Sequence, residues 1–145
     1  MPNHPRFRNF NRANEPVPPA VIGVQAISGA CMLVRRRAIE TIGLMDSKRL
    51  FLHFEDLDWC LRFGNAGLGV LFVPDARVEH AQGVCSKSRP IRVEYQKHRS
   101  MIQFLRKHFV RIYPAFFMTT VSLLVTLRFC LVLLRLLFRS RSPSF

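Results

Sequence analysis

The apolar run from Ala115 to Phe138 constrains the fold of this chain more than any other feature of its sequence. It is long enough to cross a bilayer as one helix, which takes roughly 20 apolar residues. Two arginines, Arg128 and Arg135, interrupt the run, and each would cost roughly 2.5 to 3.5 kcal/mol at the centre of a membrane helix. Both fall on one helical face. The segment can therefore lie in the membrane interface, cross the bilayer at a tilt, or pack on protein.

The charge of the chain is concentrated in the same region. The formal net charge is +13, and no acidic residue follows Glu94. A basic segment with long apolar runs favours an anionic membrane surface over nucleic acid, for which no helix-turn-helix, zinc-finger or RNA-stacking motif is present. The four cysteines form no C-x-x-C pair, and no signal-peptide pattern opens the sequence. We therefore expect reduced thiols and a cytoplasmic location at the inner face of the cell membrane.

The pattern along the chain divides it into three parts. Residues 1–20 are proline-rich and predict an irregular lead-in, residues 21–111 a folded domain, and residues 112–145 a basic, hydrophobic, membrane-associated tail. Hydrophobic periodicity within these parts predicts four helices and several short strands. The predicted helices are 36–42, one opening at Glu55, 91–110 and 115–138; the predicted strands are two within 21–34, then 69–73 and 76–80.

Short motifs follow one another in a characteristic order between residues 28 and 86. The order is Ser28-Gly29-Ala30, Arg35-Arg36, Gly43, Asp46, Phe51 to Asp58, Arg62, Gly67, Pro74-Asp75-Ala76, His80 and Ser86. This order resembles the inverting family-two glycosyltransferases, especially their rhamnosyltransferase-like branch, over roughly residues 21–108. The resemblance implies an α/β fold. It would be a partial GT-A (nucleotide-diphospho-sugar transferase) fold, with a mixed sheet, flanking helices and amphipathic or hydrophobic C-terminal helices.

The same resemblance implies a catalytic role for the acid pair. Asp56 would be the base that removes a proton from the attacking acceptor hydroxyl, with Glu55 beside it. Seen alone, Glu55, Asp56 and Asp58 are typical of helix capping and of solvated charge at a helix N-terminus.

Five further residues are candidates for ligand binding. The resemblance implies that His80 helps to bind a divalent metal or the leaving diphosphate, although a histidine at the end of a strand often has no such role. Ser28 and Gly29 would form the floor of the acceptor site. Trp59 could place its ring against an acceptor or pack in the core, and Ser86 could donate to a phosphate or serve a turn.

One part of the family pattern is missing from the sequence. Family members bind the nucleotide through an N-terminal half that ends in a D-x-D metal site, which residues 1–20 cannot supply. Asp56-Leu57-Asp58 has these letters in another place. We therefore expect Mg²⁺ or Mn²⁺ dependence with the main D-x-D ligands outside this chain.

The expected activity is transfer of a sugar such as rhamnose from a nucleotide-sugar to a glycan or lipid-linked acceptor, in cell-wall or surface polysaccharide biosynthesis. The chain would be inactive alone, as a fragment, a truncated gene product or one piece of a split enzyme with a partner chain. The alternative is a basic membrane-surface binding module without catalysis.

Overall fold

Two strands and four helices make up the part of the chain that the structure, a computed structural model, describes: residues 15–80 and 89–139, without the side chain of residue 139. In chain order they are β1 (Ile22–Val24), α1 (Arg36–Ile42), α2 (Glu55–Asn65), β2 (Val70–Phe72), α3 (Pro90–Phe109) and α4 (Ala115–Arg139). Most of the predicted lead-in lies outside the described residues, as does Ser86.

All four helices predicted from the sequence are confirmed. Helix α1 ends at Gly43, which has a φ of +78° and donates its N–H to the Ile39 carbonyl at 2.7 Å. Because a residue with a side chain is strained at such a φ, glycine suits this position. Helix α2 carries Glu55, Asp56 and Asp58 in its first turn, where negative charge complements the helix dipole.

The sheet is smaller than predicted. β1 pairs with β2 in antiparallel register, with Gly23 opposite Leu71, and these two strands form the whole sheet within the described residues. The second strand predicted within residues 21–34 and the strand predicted at residues 76–80 are wrong, and so is the mixed character of the sheet. Strands need neighbours to complete their hydrogen bonds, and the described residues offer these segments none.

The buried core lies around α2. Leu50, Trp59, Cys60 and Phe63 are at most 7% exposed, and the rings of Trp59 and Phe63 lie 5.3 Å apart. Burial raises the pKa of the Cys60 thiol, which makes it a poor nucleophile. Cys31 and Cys130 are also free thiols, while Cys85 lies outside the described residues.

Helix α3 packs behind the segment that leads into α2. The Ser100 hydroxyl is fully buried and donates to the Phe51 carbonyl at 3.2 Å. The rings of Phe54 and Phe104 lie 5.5 Å apart. Helix α3 thus fixes the residues that immediately precede the acid pair.

Helix α4 packs on α3 along one stripe. Met118 and Val125 are buried, and the Phe129 ring lies 5.4 Å from that of His98. Arg128 donates to His98 Nε2 at 2.8 Å. Because a guanidinium can only donate, His98 accepts at Nε2, and its Nδ1–H donates to the Glu94 carbonyl at 2.7 Å. Arg128 therefore has a protein partner.

Most of the α4 surface stays exposed. By length and composition, Ala115–Phe138 could cross a membrane, and 6% of its most apolar window is buried in the protein. A core helix of a soluble protein would be mostly buried. Packing on protein thus accounts for one stripe of α4. The remaining apolar side chains include Phe116, Leu123, Leu124, Leu127, Leu131, Leu134 and Phe138, each at least 50% exposed.

Candidate active site

Asp56 joins two motifs that lie far apart in the sequence. The backbone N–H of Gly29 donates to Asp56 Oδ2 at 2.9 Å, and the N–H of Leu57 donates to Oδ1 at 2.8 Å. Bonds to both oxygens fix the plane of the carboxylate while leaving each oxygen a free lone pair. Asp56 is half-buried, so its remaining lone pairs can accept from a bound molecule.

Gly29 lies against this carboxylate, and both Gly29 and the preceding Ser28 are exposed. A Cβ built on Gly29 would meet Asp56 Cβ at 3.4 Å, an ordinary contact distance. Ser28 Oγ accepts from the Ala30 N–H at 3.3 Å, which shapes the turn. The structure therefore brings together two of the predicted site residues, Gly29 and Asp56.

A strained turn presents the acid pair. Leu52, His53 and Phe54 have φ values of 63°, 74° and 70°, all in the left-handed region that side chains rarely occupy. Three such residues in succession turn the chain sharply before α2. The Ser100 hydrogen bond and the Phe104 ring hold this turn from α3. Strain of this kind is characteristic of sites where a side chain must be held in one place.

Glu55 provides a second carboxylate at the same helix end. Its Oε2 is buried and has no hydrogen-bond partner within the described residues. Buried polar atoms are almost always paired, so an orphaned carboxylate oxygen indicates a missing partner. A ligand hydroxyl or a residue outside the described part of the chain could supply it.

Asp58 belongs to a buried ion network instead. It is 0% exposed and lies 2.8 Å from Lys107 Nζ, 2.7 Å from His108 Nε2 and 3.0 Å from Arg62 Nε. Burial would raise its pKa, but the hydrogen bonds from Lys107 and His108 and the charges of Lys107 and Arg62 outweigh burial and lower the pKa below its ordinary value. Asp58 is therefore ionised and has a structural role.

The same network accounts for other motif residues. Lys107 also binds Asp46 at 3.0 Å, and this hydrogen bond is the largest cause of the lowered pKa of Asp46. Arg62 donates to the carbonyls of Ile42 and Leu44 at 2.6 and 2.8 Å. The Arg62 bonds tie α2 to the end of α1 and to the connector after it. Lys107 ties that connector to the last turn of α3.

Trp59 lies in the core. It is 7% exposed, and its indole N–H donates to the Gly43 carbonyl at 3.0 Å. The ring is therefore buried in the core and its N–H group has a hydrogen-bond acceptor, as is usual for a buried tryptophan. This arrangement favours the packing alternative for Trp59.

His80, the metal ligand implied by the resemblance, is not grouped with other metal-binding side chains among the described residues. Among residues 15–80 and 89–139, no three His, Cys, Asp or Glu side chains are grouped to hold a metal ion. His80 is exposed, and the carboxylate of Asp58 is occupied by three cationic or hydrogen-bonding groups. The described residues do not fit a divalent-metal site.

Sequence reasoning missed Lys107 and His108. Each lies about 50 residues from Asp58, so no local pattern links them. The one available signal was Asp46, a motif position without an assigned role, together with a basic last turn in α3.

Comparison with known proteins agrees with the order of motifs. The family model described as "Glycosyltransferase like family 2" matches residues 13–103. The chain is 34% identical over 86 residues to dTDP-rhamnosyl transferase RfbF of Shigella flexneri, covering 54% of this chain and 29% of that protein. It is 37% identical over 79 residues to N-acetylglucosaminyl-diphospho-decaprenol L-rhamnosyltransferase of Mycobacterium tuberculosis, covering 54% of this chain and 25% of that protein. The match thus spans between a quarter and a third of the length of each relative. No solved structure matches the chain.

Proposed function

The chain belongs to glycosyltransferase family 2, and from this premise we propose that residues 21–111 are the acceptor-side half of a glycosyltransferase. The proposed enzyme transfers a sugar such as rhamnose from a nucleotide-sugar to a glycan or lipid-linked acceptor in cell-wall or surface polysaccharide biosynthesis. The names of the two rhamnosyltransferases to which the chain is similar support this choice.

One observation carries the proposal. The Gly29 N–H holds the Asp56 carboxylate at 2.9 Å, so that the S-G-A and E-D motifs meet at one half-buried acid. Helix capping alone would not need a donor from 27 residues upstream. The orphaned Oε2 of Glu55 is a further acceptor beside it. This pair is suited to receive a hydroxyl of an acceptor.

The reaction is a single inverting displacement. The acceptor oxygen attacks the anomeric carbon of the donor while its proton passes to the Asp56 carboxylate. The bond from that carbon to the diphosphate oxygen breaks, and its electron pair leaves with the nucleotide diphosphate. Asp56 returns its proton to solvent before the next turnover.

Other parts of the enzyme are needed for donor binding. We propose that a nucleotide-binding half, on the same protein or on a partner chain, supplies the metal ligands for Mg²⁺ or Mn²⁺. The coverage of 25 to 29% of the relatives supports this division. Without that half the described residues would be inactive. The exposed apolar surface of α4 supports a place at the inner face of the cell membrane.

Sugar transfer tests the proposal directly. The chain would be joined to the N-terminal half of a related rhamnosyltransferase and assayed with a panel of nucleotide-sugars, with and without Mg²⁺ or Mn²⁺. We expect activity in the joined protein, and a loss of about 10²- to 10⁴-fold in Asp56→Asn. Glu40→Gln is the matched control, because Glu40 is an exposed acid of α1 paired with Arg36. Equal activity in Asp56→Asn and Glu40→Gln would refute the role of Asp56.

A second candidate function rests on α4. The basic, exposed apolar helix could make the chain a membrane-surface module in which the acid pair is structural. This alternative predicts vesicle binding that survives Asp56→Asn, together with no transfer by the joined protein for any donor.

A further inference from the structure

An open cleft with a basic lining lies between α3 and α4. Its volume is about 340 Å³. The lining residues from α3 are Tyr95, His98, Arg99, Ile102, Gln103 and Arg106, and those from α4 are Thr126 and Phe129. The cleft thus offers two guanidinium groups beside an aromatic ring and a hydroxyl.

The basic lining continues towards the loop before α2. A neighbouring cleft of about 330 Å³ is lined by Arg49, Leu50, Gln103, Arg106 and Lys107. The two clefts share Gln103 and Arg106 and therefore lie side by side. Together they are named the arginine groove. With its amide oriented to satisfy both neighbours, Gln103 donates to the Arg49 carbonyl and accepts from Arg99 Nη2 at 3.3 Å. Gln103 thereby links the two ends of the groove.

Among the described residues, part of the positive charge in the groove has no carboxylate partner. Within the described parts of the chain, no carboxylate forms an ion pair with Arg49, Arg99 or Arg106. Lys107, in contrast, is bound by Asp46 and Asp58. Arg49 lies close enough to Asp46 for its charge to help lower the pKa of that carboxyl. The guanidinium groups of Arg99 and Arg106 therefore remain available to an anion from outside.

The spacing of the arginines suits a phosphate group. Arg99 and Arg106 lie two helical turns apart on α3, and side chains at this spacing share one face. Arginine binds phosphate oxygens with two parallel N–H bonds, which makes it the preferred residue for phosphate recognition. The amide of Gln103, between them, can add a donor.

We propose that the arginine groove binds the phosphate of a membrane lipid. The side of the groove that is formed by α4 favours a lipid phosphate over a soluble phosphate. Thr126 and Phe129 belong to α4, whose outer side chains are exposed and apolar. A lipid phosphate that enters from the bilayer surface would reach Arg99 and Arg106 while its acyl chains stay beside α4. This inference rests on the proposed position of α4 at the membrane, and it adds a specific binding site for a lipid phosphate.

Vesicle binding by the full chain tests the groove. The chain would be floated with vesicles of phosphatidylcholine alone, and with vesicles containing phosphatidic acid, a lipid phosphomonoester. The double variant Arg99→Gln/Arg106→Gln would be compared with Arg35→Gln/Arg37→Gln, which removes two exposed positive charges near α1. Each arginine near an anionic surface contributes about fivefold to binding, so we expect the groove variant to lose roughly 30-fold of the preference for phosphatidic acid.

The two arms of the experiment separate the membrane placement from the groove. Binding to phosphatidylcholine alone reports the apolar surface of α4, and we expect it to be equal in all variants. Failure of the chain to bind any vesicle would refute the membrane placement. An equal loss of preference in both double variants would refute the groove, because it would show a general charge effect.

Soluble inorganic pyrophosphate separates the two sources of phosphate. We expect it to compete weakly with phosphatidic acid vesicles at millimolar concentration. Tight binding of pyrophosphate without vesicles, lost in Arg99→Gln/Arg106→Gln, would overturn the lipid assignment in favour of a soluble diphosphate. Sugar transfer by the joined protein is measured in a separate assay. A failure of the proposed transferase function would therefore not change the result of the vesicle-binding experiment.

Discussion

Asp56 depends on one backbone donor from a distant segment, which makes Gly29 a sensitive position. Gly29→Pro removes the N–H that donates to Oδ2, whereas Gly29→Ala keeps it, and the added Cβ meets Asp56 at an ordinary 3.4 Å. A hydrogen bond to a charged group is worth about 1.5 to 3 kcal/mol. In the joined protein we expect kcat to fall about tenfold or more in Gly29→Pro and less than about threefold in Gly29→Ala. Similar kcat values in the two variants would contradict a positioning role for this bond.

Asp58 is expected to govern stability. Removing one partner of a buried ion pair costs about 3 kcal/mol, because the other charges stay buried without compensation. Asp58→Asn should therefore lower the free energy of unfolding by about that amount, and Glu40→Gln, at a surface pair, by less than about 1 kcal/mol. Urea titration followed by fluorescence measures both, since Trp59 is the single tryptophan and is buried. Equal losses of unfolding free energy in the two variants would contradict a stabilising role for the Asp58 ion network.

The same network predicts how stability depends on pH. The pKa of Asp58 is lowered from its ordinary 3.8 in the folded chain, so the unfolded chain binds a proton more readily than the folded one. The contribution of Asp58 is complete above about pH 5 and is lost as the pH falls through the folded-state pKa. Unfolding free energies measured between pH 6 and pH 2 should show a shallower acid decline in Asp58→Asn than in the parent chain. An unchanged slope would show that other groups cause the decline.

The proximity of two candidate residues could be predicted from the order of motifs. That order made Asp56, Ser28 and Gly29 candidates, and in the structure the Gly29 N–H donates to Asp56. The roles of Asp46 and Arg62 could not be predicted, because their partners come from other elements and no local pattern records them. For Trp59 the sequence left open two environments, and burial favours one.

At the scale of elements, local pattern predicted helices better than strands. Hydrogen bonds within a helix are local, so periodicity and a glycine stop were sufficient for α1, α3 and α4. A strand needs a neighbouring strand for its hydrogen bonds, and β1 pairs with β2, which lies more than 40 residues away in the sequence. The segment at residues 76–80 has strand-like residues but no neighbour among the described residues.

The left-handed turn before α2 is the element that no sequence rule predicted, since it contains no glycine. His53 is exposed and has a φ of 74°. Replacing it by glycine removes about 1 to 2 kcal/mol of backbone strain but costs about 0.5 to 1 kcal/mol in unfolded-state entropy. We expect His53→Gly to leave stability unchanged or raise it by up to about 1 kcal/mol. Arg37→Gly, at an exposed position inside α1, should lower it by about 1 kcal/mol. Equal losses in both variants, by urea titration, would contradict the strained turn.

At the scale of the whole molecule, the exposed apolar side chains of the described residues are not confined to one element. Many belong to α4, for which we propose a place at the membrane. Others lie in and after β2, where Leu71, Val73 and Val78 are 56, 45 and 54% exposed. Exposed apolar surface of this kind usually marks an interaction site. The proposed nucleotide-binding half would cover it, since strands of that half could extend the sheet beside β1 or β2.

Amide hydrogen exchange tests whether the sheet is completed in this way. A pair of three-residue strands is marginal alone, so its amides should exchange rapidly in the isolated chain. In the joined protein we expect exchange at residues 22–24 and 70–72 to slow by about tenfold or more, because added strands and apolar cover would prevent local opening. The amides of α2 around Cys60 are the internal control, because that residue is already 1% exposed and its exchange should change little. Equal protection of β1 and β2 in both proteins would place the missing half elsewhere, and the exposed apolar residues near the sheet would then require a different partner.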